Sequence, residues 1–268
     1  MVDDIFSVID DWFGDNQGLT VDDYKISEFD HSDNFHFDNN SKFENHEQSP
    51  LDYNSFQMLE IAHNFLERSD YLNLESHGDT SQFHGVGNPL EDAKFWQEQA
   101  GSSSCAIVAQ MGVYQSITGI ELPEDAVCKI AEINGWFDPN SGTSPDALGK
   151  ILNVFGVTIK NQYDASLNEI AQALEKGDKV IVALDAHEIW NPLRDGDGKP
   201  IEQEDGGHAV WVTGMDQDAD GNIKIILNDS GISDGRMKVV DAADFVNAWD
   251  DFGNHLVIAK NTNPSAIV

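Results

Sequence analysis

From about Gly85 onward, apolar positions alternate with polar ones in periods that predict regular elements, and turn residues separate them. A helix is predicted from about Cys105 to Ile117, after Ser102-Ser103-Ser104 and before Thr118-Gly119. A second is predicted from Pro123 to Asn134-Gly135, and a third from Ser144-Pro145 to Gly156. Each has a polar cap or proline at its start and glycine at or near its end. A short strand over Val157 to Lys160 precedes a helix from Leu167 to Lys176. Three β-rich runs follow: Lys179 to Leu184, Ala209 to Thr213 and Ile223 to Leu227. A helix over Ala242 to Trp249 and a strand over Leu256 to Ala259 complete the pattern. Helices first, then strands with tight polar turns, predict an α+β fold in which a helical half packs on an antiparallel sheet.

The first 84 residues read differently. Lys25, Lys42 and Arg68 are their only basic residues, against nineteen acids, and Asp30 to Pro50 has almost no aliphatic side chains. Such composition predicts disorder, because too little apolar surface offsets chain entropy. Two short amphipathic pieces interrupt it. One carries Ile5, Phe6, Ile9, Trp12 and Phe13, the other Phe56, Leu59, Ala62, His63 and Leu66, each at helical spacing. The expected organisation is an acidic extension over 1–84, a globular domain over 85–262, and a short tail over 263–268. The extension reads as a solvated tail or as a segment that docks on the next domain.

Charge narrows the partners. The 268 residues hold 15 basic and 48 acidic side chains, a formal net charge of −33. Nucleic acid and anionic membrane surfaces call for basic patches, so neither is an expected partner. The acidic start MVDDIFSVIDDWFGD lacks the basic, then unbroken apolar, character of a secretory leader. Nor does any run of about 18 apolar residues predict a membrane-inserted helix. A cytoplasmic protein is the default expectation, with leaderless export left open. Six of the nine histidines fall in the extension, too scattered for a zinc set. No metal and no cofactor is expected. Weak calcium binding is the exception held open: Asp216-Gln-Asp218-Ala-Asp220-Gly221-Asn-Ile223 reads like half an EF-hand loop, but its twelfth position is Leu227. An Asp-rich β-turn is the simpler reading.

The chemistry centres on two residues. Cys105 is predicted in the first turn of a helix, where backbone N–H groups and the helix dipole favour a thiolate. Gln99, six residues upstream, can donate to an oxyanion together with the N–H of the cysteine. His208 follows Gly206-Gly207 at the start of a strand. The next strand ends in Asn228-Asp229, and a hairpin brings those ends together, so that Asp229 or Asn228 can hold the ring through Nδ1–H. Cys128 lies mid-helix and reads as core. Asp185, His187 and Trp190 read as an ordinary loop, with the rim of a cleft as the alternative. His255 is assigned no role.

The order Gln, Cys, His, Asp and its surroundings resemble a known family. The pieces are Trp96-Gln-Glu-Gln99-Ala-Gly-Ser-Ser-Ser-Cys105-Ala, Gly207-His208-Ala-Val-Trp-Val-Thr-Gly214, Leu227-Asn228-Asp229-Ser230-Gly231 and Phe245-Val-Asn-Ala-Trp249. Gly135 to Pro145 is similar to the middle segment of the same family. About residues 90 to 260 resemble the papain-like cysteine peptidases, in particular the bacterial group related to bacteriocin double-glycine leader peptidases. The resemblance implies a papain-like fold with Cys105 as nucleophile, His208 as base, Asp229 as orienter and Gln99 in the oxyanion hole. It also implies a peptide or protein substrate. Ser104 and Ala106 stand where the family often has Asp and Gly, and Ser230 where it often has Pro. Three functions fit: a cysteine peptidase or amidase, a transglutaminase-like or deamidating enzyme with the same acyl-enzyme, and a peptide-binding module without catalysis.

Overall fold

The structure is a computed structural model and describes residues 83, 85–204 and 206–261. The readings made for the extension, its two amphipathic pieces and the tail lie outside the described residues, Phe83 apart.

The chain enters on a two-residue strand β1 (Val86–Gly87) and a short helix α1 (Pro89–Asp92). Helices α2 (Cys105–Thr118), α3 (Glu124–Ile133) and α4 (Lys150–Val154) follow. Then come β2 (Ile159–Gln162), α5 (Leu167–Glu175), β3 (Lys179–Asp185), α6 (Ala186–Trp190), β4 (Gly207–Gln217), β5 (Ile223–Asn228), β6 (Lys238–Asp241), α7 (Ala242–Asp250) and β7 (Leu256–Ala259). The seven strands form one antiparallel sheet in the order β2-β7-β3-β4-β5-β6, with β1 paired to β4. The expected α+β class with an antiparallel sheet is what the chain adopts.

The sheet is covered on both faces, not on one. β3 is buried along its whole length. Val180, Val182 and Leu184 face one core with α5 and α7, while Ile181 and Ala183 face another with α2, α3 and α4. A strand buried on both sides needs an apolar run rather than alternation, and Val-Ile-Val-Ala-Leu supplies it. α5 is fixed at its start by a capping box between Ser166 and Glu169.

Two predicted elements are corrected. The helix expected from Ser144-Pro145 to Gly156 is split into a 3-10 turn, Pro145–Ala147, and α4. Gly149 separates them at φ +90, and a Cβ there would lie 2.8 Å from Ile159 Cδ1. The strand expected over Val157 to Lys160 begins two residues later, because Ile159–Gln162 pairs with Leu256–Ala259. The strand β6 and the helix α6 are additions to the expected set. Among the described residues, no helix is long and apolar enough to cross a membrane.

The segment before α2 is strapped to the sheet. Phe83 lies against Gly214, and Val86 and Gly87 pair with Met215 and Gly214. Further on, Asp92 forms a buried ion pair with Lys179 at 2.5 Å, and its carbonyl accepts from Asn228 Nδ2 at 2.8 Å. The strap thereby delivers residues 96 to 105 to the ends of β3 and β4.

Candidate active site

Cys105 is the first residue of α2, at a helix end where backbone N–H groups lack intrahelical acceptors. The loop ahead of it is laced to the start of α3 by one carboxylate. Glu124 accepts from Ala100 N at 2.9 Å, from Gly101 N at 3.2 Å and from Ser104 Oγ at 2.7 Å. Ser104 thus spends its hydroxyl on the loop rather than on capping α2.

His208 is the second residue of β4 and pairs with Leu184 of β3. Its ring lies between a thiol and a carboxylate. Nε2 is 2.7 Å from Asp229 Oδ1, and the ring hydrogen-bonds Cys105 on its other side. This corrects the expected ring geometry: Asp229 meets Nε2, which leaves Nδ1 as the nitrogen toward the thiol. Asp229 holds the position next to the ring. The Asn228 side chain turns away to the Asp92 carbonyl and to Met237 N.

Asp229 is fully buried, and burial alone would raise its pKa. Instead the carboxyl stays below its usual range, through His208, Trp190 Nε1 at 2.8 Å and Gly231 N at 2.8 Å. Its carbonyl accepts from Trp96 Nε1 at 2.7 Å. Burial opposes the charged imidazolium, yet the bonds to Asp229 and Cys105 raise His208 to about 10. Burial likewise pushes the Cys105 thiol up. The hydrogen bond and charge of His208 outweigh it, aided by the Ala209 and Ala106 backbone, and hold the thiol below its ordinary 9.0. The three shifts describe one arrangement: a thiolate–imidazolium pair anchored by a buried carboxylate.

The pair opens into a cleft of about 620 Å³ between the start of α2, the 140–145 segment and the ends of β3 and β4. Gln99 lines it with Cys105 and His208. One Gln99 N–H bonds the Gly101 carbonyl at 2.8 Å, and its Oε1 accepts from Ser230 Oγ at 3.1 Å. A primary amide has two N–H groups, so a second donor remains. The structure therefore brings Gln99, Cys105, His208 and Asp229 to one place.

Other readings separate. Cys128 is half-buried on α3, and burial with the charges of Glu124 and Asp125 pushes its thiol up to about 11. His255 is fully buried and stacks on Tyr163. Residues 186–190 form α6, not a loop; His187 and Trp190 line the cleft, while Asp185 is fully buried below it. The loop over Asp216 to Ile223 is a turn. Asp218 Oδ1 accepts from Asp220 N and Asn222 N, and the Lys224 ammonium sits 3.2 Å from Oδ2, where a cation would go.

Sequence reasoning missed Trp190 as the second support of Asp229, and Gly231 as the residue against the ring. A Cβ on Gly231 would lie 2.8 Å from His208 Cε1 and 3.1 Å from Trp190 Cζ2. The run Asn228-Asp229-Ser230-Gly231 held that signal: a glycine two residues after the orienting acid lets the backbone close around the ring.

No curated protein matches the chain. Among solved structures, a protein described as a C39-like peptidase from Bacillus anthracis is 14% identical with a TM-score of 0.47, covering 66% of this chain and 98% of its own. Stem bromelain precursor is 12% identical with a TM-score of 0.37, covering 82% and 95%. The Salmonella effector SpvD, in its G161 variant, is 12% identical with a TM-score of 0.33, covering 81% and 94%. The profile of the Peptidase_C39 like family matches residues 96–257, the stretch that contains the cleft together with Gln99, Cys105, His208 and Asp229. That is more than half of the chain, which thus belongs to the Peptidase_C39 like family.

Proposed function

We propose that this chain is a cysteine peptidase or amidase, with Cys105 as nucleophile, His208 as general acid and base, Asp229 as orienter and Gln99 as oxyanion donor. The observation that carries the reading is the His208 imidazole, hydrogen-bonded to the Cys105 thiol on one side and to buried Asp229 on the other. The Cys105 thiolate attacks the carbonyl carbon of a peptide or amide held in the cleft. The developing oxyanion accepts from the Cys105 N–H and from the free Gln99 N–H. His208 gives its Nδ1 proton to the leaving nitrogen, the C–N bond breaks, and an amine departs from a thioester. Water then loses a proton to His208 and attacks the thioester carbon. The C–S bond breaks, and the acid leaves with the thiolate–imidazolium pair restored. Asp229 keeps the ring oriented throughout and stabilises its charge.

The competing reading, acyl transfer to an amine, shares every step through the thioester. Turnover of a peptide library, run beside an amine-acceptor assay, separates the two. Release of free acid that Cys105→Ala abolishes supports hydrolysis. Incorporation of the amine in preference to water supports transfer. Peptide binding without turnover of any library member would leave only a binding module.

A further inference from the structure

Below the cleft lies a cluster of carboxylates that hydrolysis does not use. Asp185 closes β3 and caps α6, Glu188 stands in the first turn of α6, and Asp251 follows α7. One carboxylate oxygen from each lies within 4.8 Å of the other two. Asp185 is fully buried and Glu188 is 2% exposed. Asp185 Oδ1 accepts from His187 N at 2.7 Å and Gly206 N at 3.0 Å. Its other oxygen, Oδ2, is buried and meets no hydrogen-bond donor among the described residues. A buried carboxylate oxygen left without a donor is costly.

What sets Asp185 apart from several other buried acids is that, among the described residues, it lacks a lysine or arginine partner. The chain has 15 basic side chains, and three of its other buried acids draw on them. Asp92 takes Lys179, Asp178 takes Lys260, and Asp244 takes Arg194. Among the described residues, no lysine or arginine pairs with Asp185 or Glu188. The basic group in reach is His187, whose Nδ1 is 3.7 Å from Asp185 Oδ1 but 2.7 Å from the Glu204 carbonyl. That bond to a carbonyl makes Nδ1 a donor there.

We propose that Asp185, Glu188 and Asp251 bind one hard divalent cation of the calcium class. The donor set is all oxygen, with neither imidazole nor thiolate among the three, which disfavours zinc and copper. A spacing within 4.8 Å fits oxygens around one ion at about 2.4 Å each. Asp251 is only half-buried, so the cluster lies nearest solvent on that side. The site is separate from the Asp216–Ile223 turn, where Lys224 already supplies the cation. Its consequence is mechanical. A cation here joins the end of α7, the start of α6 and, through Asp185, Gly206. These segments carry His187, Gly207 and Phe252 to the wall of the cleft.

The test uses the full chain stripped with a chelator and titrated with calcium chloride at constant ionic strength, with magnesium chloride as a parallel arm. Calorimetry should show one saturable calcium event, at least about tenfold tighter than magnesium. At a hundredfold excess over Kd, the melting temperature should rise by about 5 °C or more. Asp185→Asn and Glu188→Gln should each remove the event. Asp185→Asn should also melt higher than wild type when metal-free, because one uncompensated charge is gone. Asp220→Asn, in the exposed turn, should leave binding unchanged. If Asp185→Asn does not fold, Glu188→Gln carries the test alone. Absence of a saturable event up to about 10 mM calcium, beyond the weakest calcium modules, overturns the site. So does equal binding by wild type and both cluster variants, the mark of a diffuse acidic surface. Magnesium binding as tight as calcium overturns the calcium class.

Discussion

Asp229 gathers three donors onto one buried carboxylate, and His208 depends on that carboxylate for both orientation and charge. Removing the parts should therefore cost unequally. His208→Ala should lower turnover by roughly 10³-fold or more, since it removes the proton carrier. Asp229→Ala should cost less, because it acts through the ring. Trp190→Phe keeps the ring edge-on to His208 but deletes one hydrogen bond to a charged oxygen, a contact of about 1.5–3 kcal/mol. Its kcat should fall about tenfold or more, with KM little changed; a change in KM alone would assign Trp190 to substrate binding. Asn-Asp at a hairpin end left Asn228 and Asp229 both open, whereas Cys105 and His208 were legible in the sequence because each sits in a local pattern, a serine run before a helix and two glycines before a strand. Trp190 was not, since it reaches Asp229 across 39 residues from a helix of five. The ring nitrogen was not legible either, because it depends on the side-chain torsions of His208, which no spacing encodes.

Elements with strong caps and long apolar periods were read nearly to the residue, α5 and β7 among them. Those set by distant partners were not. β6 is only Lys-Val-Val-Asp, and it becomes a strand because β5 offers it an edge. Ser166→Ala should cost α5 its capping box and the fold about 1 kcal/mol, a drop in melting temperature of about 2–4 °C, with turnover unchanged. The strap before α2 depends on a different physics. Burial raises the Asp92 carboxyl to about 6, and the adjacent Lys179 only partly offsets it. Because that value lies above the ordinary 3.8, the contribution of Asp92 is full below about pH 4 and fades as pH rises to about 6. Lys179→Met should destabilise at neutral pH by less than the roughly 3–5 kcal/mol of an unpaired buried charge, because Asp92 without Lys179 takes up a proton. The double variant with Asp92→Asn should recover most of the loss in chemical denaturation. Additive losses would show that the two residues are not energetically coupled.

The whole molecule joins a unit of the Peptidase_C39 like family to an acidic extension, and we propose that the extension is dispensable for folding. Phe83 lies against Gly214 and β1 pairs with β4, so the boundary of the folded unit includes Phe83. A chain beginning at Gln82 should melt cooperatively, and one beginning at Gly85 should melt several degrees lower. Faster peptide turnover by the Gln82 chain than by the full chain would mark the extension as inhibitory. If the Gln82 chain aggregates, the extension is part of the core. The activity of either form should have a wide pH plateau. On the acid side it ends where the Cys105 thiolate takes up a proton, below the ordinary thiol range. On the alkaline side it ends as His208 loses its charge near about 10. The central claim is that pair. Its most direct test is the rate of Cys105 alkylation by iodoacetamide against pH, in wild type and in His208→Ala, with Cys128 as the internal reference. In wild type, Cys105 should react at pH 7 about a hundredfold or more faster than Cys128, whose thiol is pushed up to about 11, and should titrate below an ordinary thiol. His208→Ala should return that titration to the ordinary range or above it. An ordinary Cys105 titration in wild type, or one that His208→Ala leaves in place, would contradict the account.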